Sequence, residues 1–177
     1  MHKIDDKLPA RHENPPPIIA ICGIKNSGKT TLLSKIIPIL KERGFRVAAI
    51  KHDSHDFAPD VPGTDSHTLR EAGAVAVGIY SPNRYMLTAE SAKITPEHFA
   101  SFFKDADLIL LEGGKSTPYN KIEIVRSGIS AAPVSDPEAL IAICSDLDIR
   151  LEKVPTIAID DYTGVADLIV ENIKPDS

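Results

Sequence analysis

Short apolar runs and helical stripes alternate along this chain. Residues 18–22, 46–51, 74–80, 107–111, 121–126, 140–144 and 156–159 are rich in Val, Ile and Leu, as strands buried on both faces are. Between them, 29–43, 64–72, 96–104 and 163–173 carry helical spacing. The segment RYMLTA (84–89) is placed to pair with 74–80 as an antiparallel edge hairpin across Ser81, Pro82 and Asn83. Strands joined by helical crossovers predict an α/β three-layer sandwich around a mostly parallel sheet of about 7–8 strands. Residues 1–17, ending in Pro15, Pro16 and Pro17, read as a mobile lead-in to a single domain over 18–177.

The first helix shows the pattern most clearly. Leu33, Ile36, Ile37 and Leu40 form the stripe that packs on a sheet, and Gly44 is positioned to close the helix. Pro38 interrupts the stripe and predicts a kink, because it removes one donor and crowds the carbonyl of Ser34.

Composition narrows the function classes. With 177 residues and a formal charge of −5, the chain lacks the basic footprint of a nucleic-acid or anionic-membrane binder. Four Tyr, five Phe and no Trp leave little for stacking on bases. No apolar run approaches the ~20 residues of a membrane span, and the N-terminus lacks the apolar core of a secretion signal. The expected compartment is the cytoplasm. Cys22 and Cys144 lie in the apolar runs IIAIC and LIAIC and are expected to be buried and chemically idle.

The candidate chemistry begins where the first run ends. Gly23-Ile24-Lys25-Asn26-Ser27-Gly28-Lys29-Thr30 fits G-x-x-x-x-G-K-[ST] between a strand and a helix. Glycines let such a loop curl its N–H groups around a phosphate, and the helix start adds unpaired amides and a positive dipole end. Nucleotide-binding candidates are therefore Gly23, Lys25, Asn26, Ser27, Gly28, Lys29, Thr30 and Thr31. Lys29 is expected to reach the β- and γ-phosphates, with the Thr30 hydroxyl on Mg²⁺. Glu112 closes the run DADLILLE before Gly113 and Gly114, where a carboxylate is placed to hold the metal's water shell or orient the attacking water.

The second run leads into IKHDSHDFAPDVPGTDSHTLREAGA, the position of a γ-phosphate-sensing segment. Asp53, nearest the strand end, is the second expected metal or water-positioning group, so Lys29, Asp53 and Glu112 are the catalytic candidates. Thr64 or Asp65 is expected to cap the next helix. Arg70 suits either phosphate neutralisation or an ordinary ion pair. His55 and its neighbours with Asp53 or Asp56 leave a transition-metal site as an alternative. Late in the chain, Asp146 or Asp148 in SDLD is placed to accept from guanine N1–H and N2–H₂, although no Lys accompanies them to stack on the base. A solvated strand-end turn explains the same residues.

GIKNSGKTTLL, IKHDSHDF with PGTDS and LREAGA, DLILLEGGK and KIEIVR together resemble the molybdopterin-guanine dinucleotide biosynthesis protein B (MobB) family over about residues 18–145. The resemblance implies a GTP-binding P-loop protein of the signal-recognition/MinD-like class, similar in fold to metallocentre-maturation GTPases. It further implies a homodimer with slow Mg²⁺-dependent GTP hydrolysis, partnered with the nucleotidyltransferase MobA in attaching GMP to molybdopterin. In related dimeric NTPases a loop lysine crosses to the neighbouring subunit, which makes Lys25 a candidate for that role. Gly114 stands where the family carries a bulkier residue, so the loop over 113–119 is expected to be looser. Two other readings compete: a binding-only adapter for nucleotide or cofactor, and a small-metabolite kinase. The kinase reading ranks last, because Arg11, Arg43, Arg46, Arg70, Arg84, Arg126 and Arg150 are scattered instead of gathered in a lid.

Overall fold

The computed structural model describes residues 15–53, 57–91 and 94–173. Within the single domain expected from residue 18 onward, two compact units are distinguishable: residues up to His52 together with those from Pro96 onward, and Asp53–Thr95.

The larger unit is built on a six-stranded sheet. In chain order its strands are β1 (Ile18–Cys22), β2 (Val47–Lys51), β5 (Leu108–Glu112), β6 (Lys121–Val125), β7 (Leu140–Ser145) and β8 (Thr156–Ala158). Their order across the sheet is β2-β5-β1-β6-β7-β8, and every neighbouring pair is parallel. The phosphate-loop strand β1 thus lies centrally, between β5 and β6. Ile19, Ile21, Leu108, Leu110, Ile122 and Ile124 face one way, onto α1 (Lys29–Glu42) and α4 (Tyr162–Ile173). Ala20, Cys22, Ile109 and Leu111 face the other, toward Ala100 of the short α3 (Pro96–Ala100). The helix expected over 96–104 is shorter than its apolar pattern, giving way to a turn at Ser101.

The sequence expectation of a 7–8-stranded sheet needs one correction. β3 (Ala76–Ser81) and β4 (Arg84–Ala89) pair only with each other, with Ser81 opposite Arg84, as a separate two-stranded sheet in the smaller unit. Their antiparallel pairing follows the pattern of the sequence; the turn is Pro82-Asn83 alone, Ser81 being paired instead of lying in it, and the hairpin is not part of the main sheet. That unit also holds α2 (Asp65–Glu71), whose N-cap is Thr64: its hydroxyl accepts from the His67 amide at 3.3 Å.

α1 runs continuously through Pro38. Pro38 and Ser34, whose carbonyl loses its partner to the missing N–H, both lie on the exposed face, so water can take the place of the lost donor. Past its end, Gly44 (φ 90°) donates to the Lys41 carbonyl and Phe45 to that of Leu40, the paired bonds of a Schellman closure.

On the face away from α1, β6 carries two buried charges. Lys121 and Glu123 are each 1 % exposed. Lys121 donates to the carbonyls of Thr117 and Tyr119, and the Glu123 carboxylate accepts from the amides of Val134 and Ser135, both at 2.8 Å. The Lys121 bonds correct the expectation of a loose 113–119 loop. Gly114 is buried at φ 69°, a Cβ there would sit 2.8 Å from Leu111 Cδ2, and its carbonyl accepts from the Thr117 hydroxyl at 2.7 Å. Replacing Glu123 by Ala leaves two amides without their charged acceptor. We expect a loss of about 3 kcal/mol in urea unfolding, with Glu123→Gln retaining part of it.

Candidate functional site

Residues 23–30 leave the sheet between β1 and α1. Gly23 turns at φ 135°, and a Cβ at that position would lie 2.6 Å from Ser27 Oγ and 2.7 Å from the Ile124 carbonyl. Only glycine fits there. Asn26 also takes a left-handed conformation (φ 65°), and Ser27 donates its amide to the Ile24 carbonyl at 3.3 Å. The N-cap of α1 is Gly28 (φ 103°), which brings no side chain to the first-turn amides. Those amides remain for an anion, at the positive end of a 14-residue helix. Lys29 reaches back over the loop, its ammonium donating to the carbonyls of Gly23 at 3.0 Å and Ile24 at 2.7 Å.

The register of the central strands sets the second half of the site. Ile21 pairs with Glu112, and Lys51 pairs with the same residue from the other side. Glu112 therefore ends β5 level with the start of the loop. Its carboxylate accepts from the Thr30 hydroxyl at 2.9 Å. Gly113 follows at φ 98°; it donates to the Ile21 carbonyl at 2.9 Å and accepts from Cys22 Sγ at 3.0 Å. A hydroxyl and a carboxylate meeting beside a phosphate loop are hard oxygen donors suited to Mg²⁺.

The residues singled out in the sequence divide accordingly. Gly23, Lys25, Asn26, Ser27, Gly28, Lys29, Thr30 and Thr31 share one loop and helix start, and Glu112 joins them through Thr30. Lys25 is exposed. Asp53 belongs to the second unit. Arg70, also in that unit, pairs with Asp60 at 3.6 Å, the ordinary ion-pair alternative, while Asp60 also accepts from Ser66. His55 and Asp56 lie outside the described residues; among the described ones no group of three metal-ligating side chains comes together. Asp146 accepts from the Ser127 amide at 2.7 Å, and Asp148 pairs with the exposed Arg150 at 3.0 Å.

A cleft of about 260 Å³ adjoins the loop, lined by Ser27, Gly28 and Thr31 on one side and by Arg126, Asp160 and Tyr162 among others. Neither Asp146 nor Asp148 lines it. Asp160 and Tyr162 carried no role in the sequence expectations, which placed the base reader at the end of β7, and Arg126 figured only among the scattered arginines. The available signal was the doubled carboxylate in IDDY, where one Asp suffices to cap the next helix.

Both cysteines are buried, as their runs suggest. Burial, partly offset by Lys121, pushes the Cys22 thiol up to about 11; burial and then Asp161 push Cys144 to about 12. Both thiols stay protonated at neutral pH. At pH 8 we expect a maleimide to label neither until urea unfolds the chain; fast labelling of the native protein would contradict the burial.

A family model described as Molybdopterin guanine dinucleotide synthesis protein B matches residues 18–146. The Molybdopterin-guanine dinucleotide biosynthesis adapter protein of Escherichia coli K12 is 39 % identical over 163 residues, covering 88 % of this chain and 92 % of that one. Its namesake in Haemophilus influenzae is 32 % identical, covering 86 % and 87 %. The solved structure of Bacillus subtilis MobB superposes with a TM-score of 0.71 at 26 % identity, covering 90 % of this chain and 99 % of that one. The chain belongs to the molybdopterin guanine dinucleotide synthesis protein B family, MobB.

Proposed function

We propose that this protein is an adapter in molybdenum cofactor biosynthesis that binds GTP with Mg²⁺ and hydrolyses it slowly while serving a MobA-like guanylyltransferase and its molybdopterin substrate. The observation that carries the reading is the Thr30–Glu112 hydrogen bond at the mouth of a loop with free helix-start amides. The relatives' shared name as adapters supports the cofactor pathway and the non-enzymatic emphasis.

In this reading the loop amides and Lys29 hold the β- and γ-phosphates, exchanging the Gly23 and Ile24 carbonyls for phosphate oxygens. The Thr30 hydroxyl would be a ligand to Mg²⁺, whose charge would offset that of the phosphates. Glu112 would order the metal's waters and the attacking water. Lys29→Ala should weaken Mg-GTP binding by on the order of 100-fold in calorimetry. Thr30→Ala should bind GTP but lose most of the magnesium dependence. If magnesium affects neither the wild type nor Thr30→Ala, the metal assignment fails. Cofactor insertion that survives Glu112→Gln while phosphate release stops would make hydrolysis incidental to the adapter role.

The same reading includes a homodimer, with Lys25 as the candidate to act across it. β3 and β4 expose Tyr80, Tyr85, Met86 and Leu87, a set of large apolar side chains on one hairpin. A second copy of the chain is the occupant we assign to them. Sedimentation should give a dimer, and Tyr80→Glu with Tyr85→Glu a folded monomer; a wild-type monomer at micromolar concentration would refute the assignment.

A further inference from the structure

We infer that the cleft between the first turn of α1, the end of β6 and the β8–α4 turn holds the guanine base, and that Asp160 reads it. The inference rests on the nucleotide site proposed above and adds to it the residue that selects the base.

The cleft begins at the phosphate loop itself: Gly28 and Thr31 line it, and the Arg126 guanidinium lies 3.7 Å from where a Cβ on Gly28 would be. A triphosphate tail held by the loop therefore has an adjoining hollow for the rest of its nucleotide. At about 260 Å³ the hollow falls below the ~300–1,000 Å³ of drug- or cofactor-sized sites, so it suits a base and sugar better than a whole pterin dinucleotide. Its walls are the kind that bind a planar polar ring: Leu32, Ile124 and Ile159 are apolar, and Tyr162 adds an aromatic ring. Ser27, which also lines it, is fully buried with a hydroxyl that has no partner. A buried hydroxyl in that state is costly unless something completes it.

The two adjacent carboxylates of the β8–α4 turn have different duties. Asp161 accepts from the Gly164 amide at 2.9 Å, which caps α4. Asp160 makes no side-chain hydrogen bond or ion pair among the described residues, yet it lines the cleft. Arg126 is likewise left with an unengaged guanidinium in the cleft wall. A carboxylate acceptor complements guanine N1–H and N2–H₂, and a guanidinium complements guanine O6 and N7. Adenine presents an N1 acceptor to the first and an N6 donor to the second, so both contacts disfavour it. The alternative readers are engaged elsewhere: Asp146 holds the Ser127 amide, and Asp148 pairs with Arg150.

The test compares tripolyphosphate, GTP, ATP and XTP binding to the full-length protein with Mg²⁺. Wild type should prefer GTP over ATP. Asp160→Asn should lose GTP affinity by on the order of 10- to 100-fold and gain XTP, whose C2 carbonyl accepts from the new amide. Tripolyphosphate affinity should not change, which shows the loop and the fold intact. Asp146→Asn should keep the wild-type order. The inference is overturned if Asp160→Asn retains the GTP preference, or if Asp146→Asn is the variant that switches to XTP; the phosphate site survives both outcomes. Failure of wild type to bind either tripolyphosphate or GTP overturns the phosphate site itself, and this inference with it.

Discussion

The site depends on the pairing of Ile21 with Glu112. Parallel strands have no free choice of register when both faces are buried, because a one-residue slip would turn Ile19, Ile21, Leu108 and Leu110 away from the helices. Burial of the core thus fixes where the acidic end of β5 falls relative to the end of β1. The Thr30–Glu112 bond is a consequence of that register: α1 starts a fixed number of loop residues beyond β1, and Glu112 is already level with it. Apolar packing and site geometry are one constraint here.

β6 extends the same logic with charges. Lys121 and Glu123 sit on one face of a strand between β1 and β7, where water cannot reach them. An isolated buried charge would be costly, and neither is isolated. Lys121 takes carbonyls from the loop before β6, and Glu123 takes amides from the segment before β7. Each charge therefore pins an irregular segment that has no strand of its own to hold it. Glu123 also pairs in register with Cys22, the last residue before the phosphate loop, so the loop's base rests on a strand whose far face is locked.

Much of this was legible in the sequence because it follows from periodicity and from one motif. Six of the seven apolar runs became strands of the parallel sheet, and G-x-x-x-x-G-K-T landed between a strand and a helix. Thr64, one of the two N-cap candidates, and Gly44 as helix closure followed from local chemistry. What escaped depends on contacts far apart in sequence. The β3–β4 run is as apolar as a core strand, and nothing local says that it pairs only with itself. The burial of Lys121 and Glu123 was not legible, because it depends on segments that fold over them from 113–119 and 134–135. The nucleotide-side cleft escaped for the same reason: Ser27, Arg126 and Tyr162 are separated by 99 and 36 positions and meet only after the crossovers close.

Two side chains at the loop, Lys29 and Thr30, are engaged within the chain, and under the proposed function that would shape how a nucleotide acts. Lys29 is held by two carbonyls and Thr30 by Glu112. A site held this way is preorganised, so little ordering entropy is lost on binding. The same bonds would be given up if phosphate took the ammonium and a metal took the hydroxyl, as the proposed function requires. The gain is therefore the difference between a charged phosphate oxygen and a carbonyl, and between a metal ion and one hydrogen bond, smaller than the gross contacts suggest. Under the proposed function tail and metal would be coupled, since opening Thr30 from Glu112 would be favourable only with a metal in place of the proton between them. Under the proposed function, filling the site would change the charge at the mouth of the loop, and that charge is what a partner would sense.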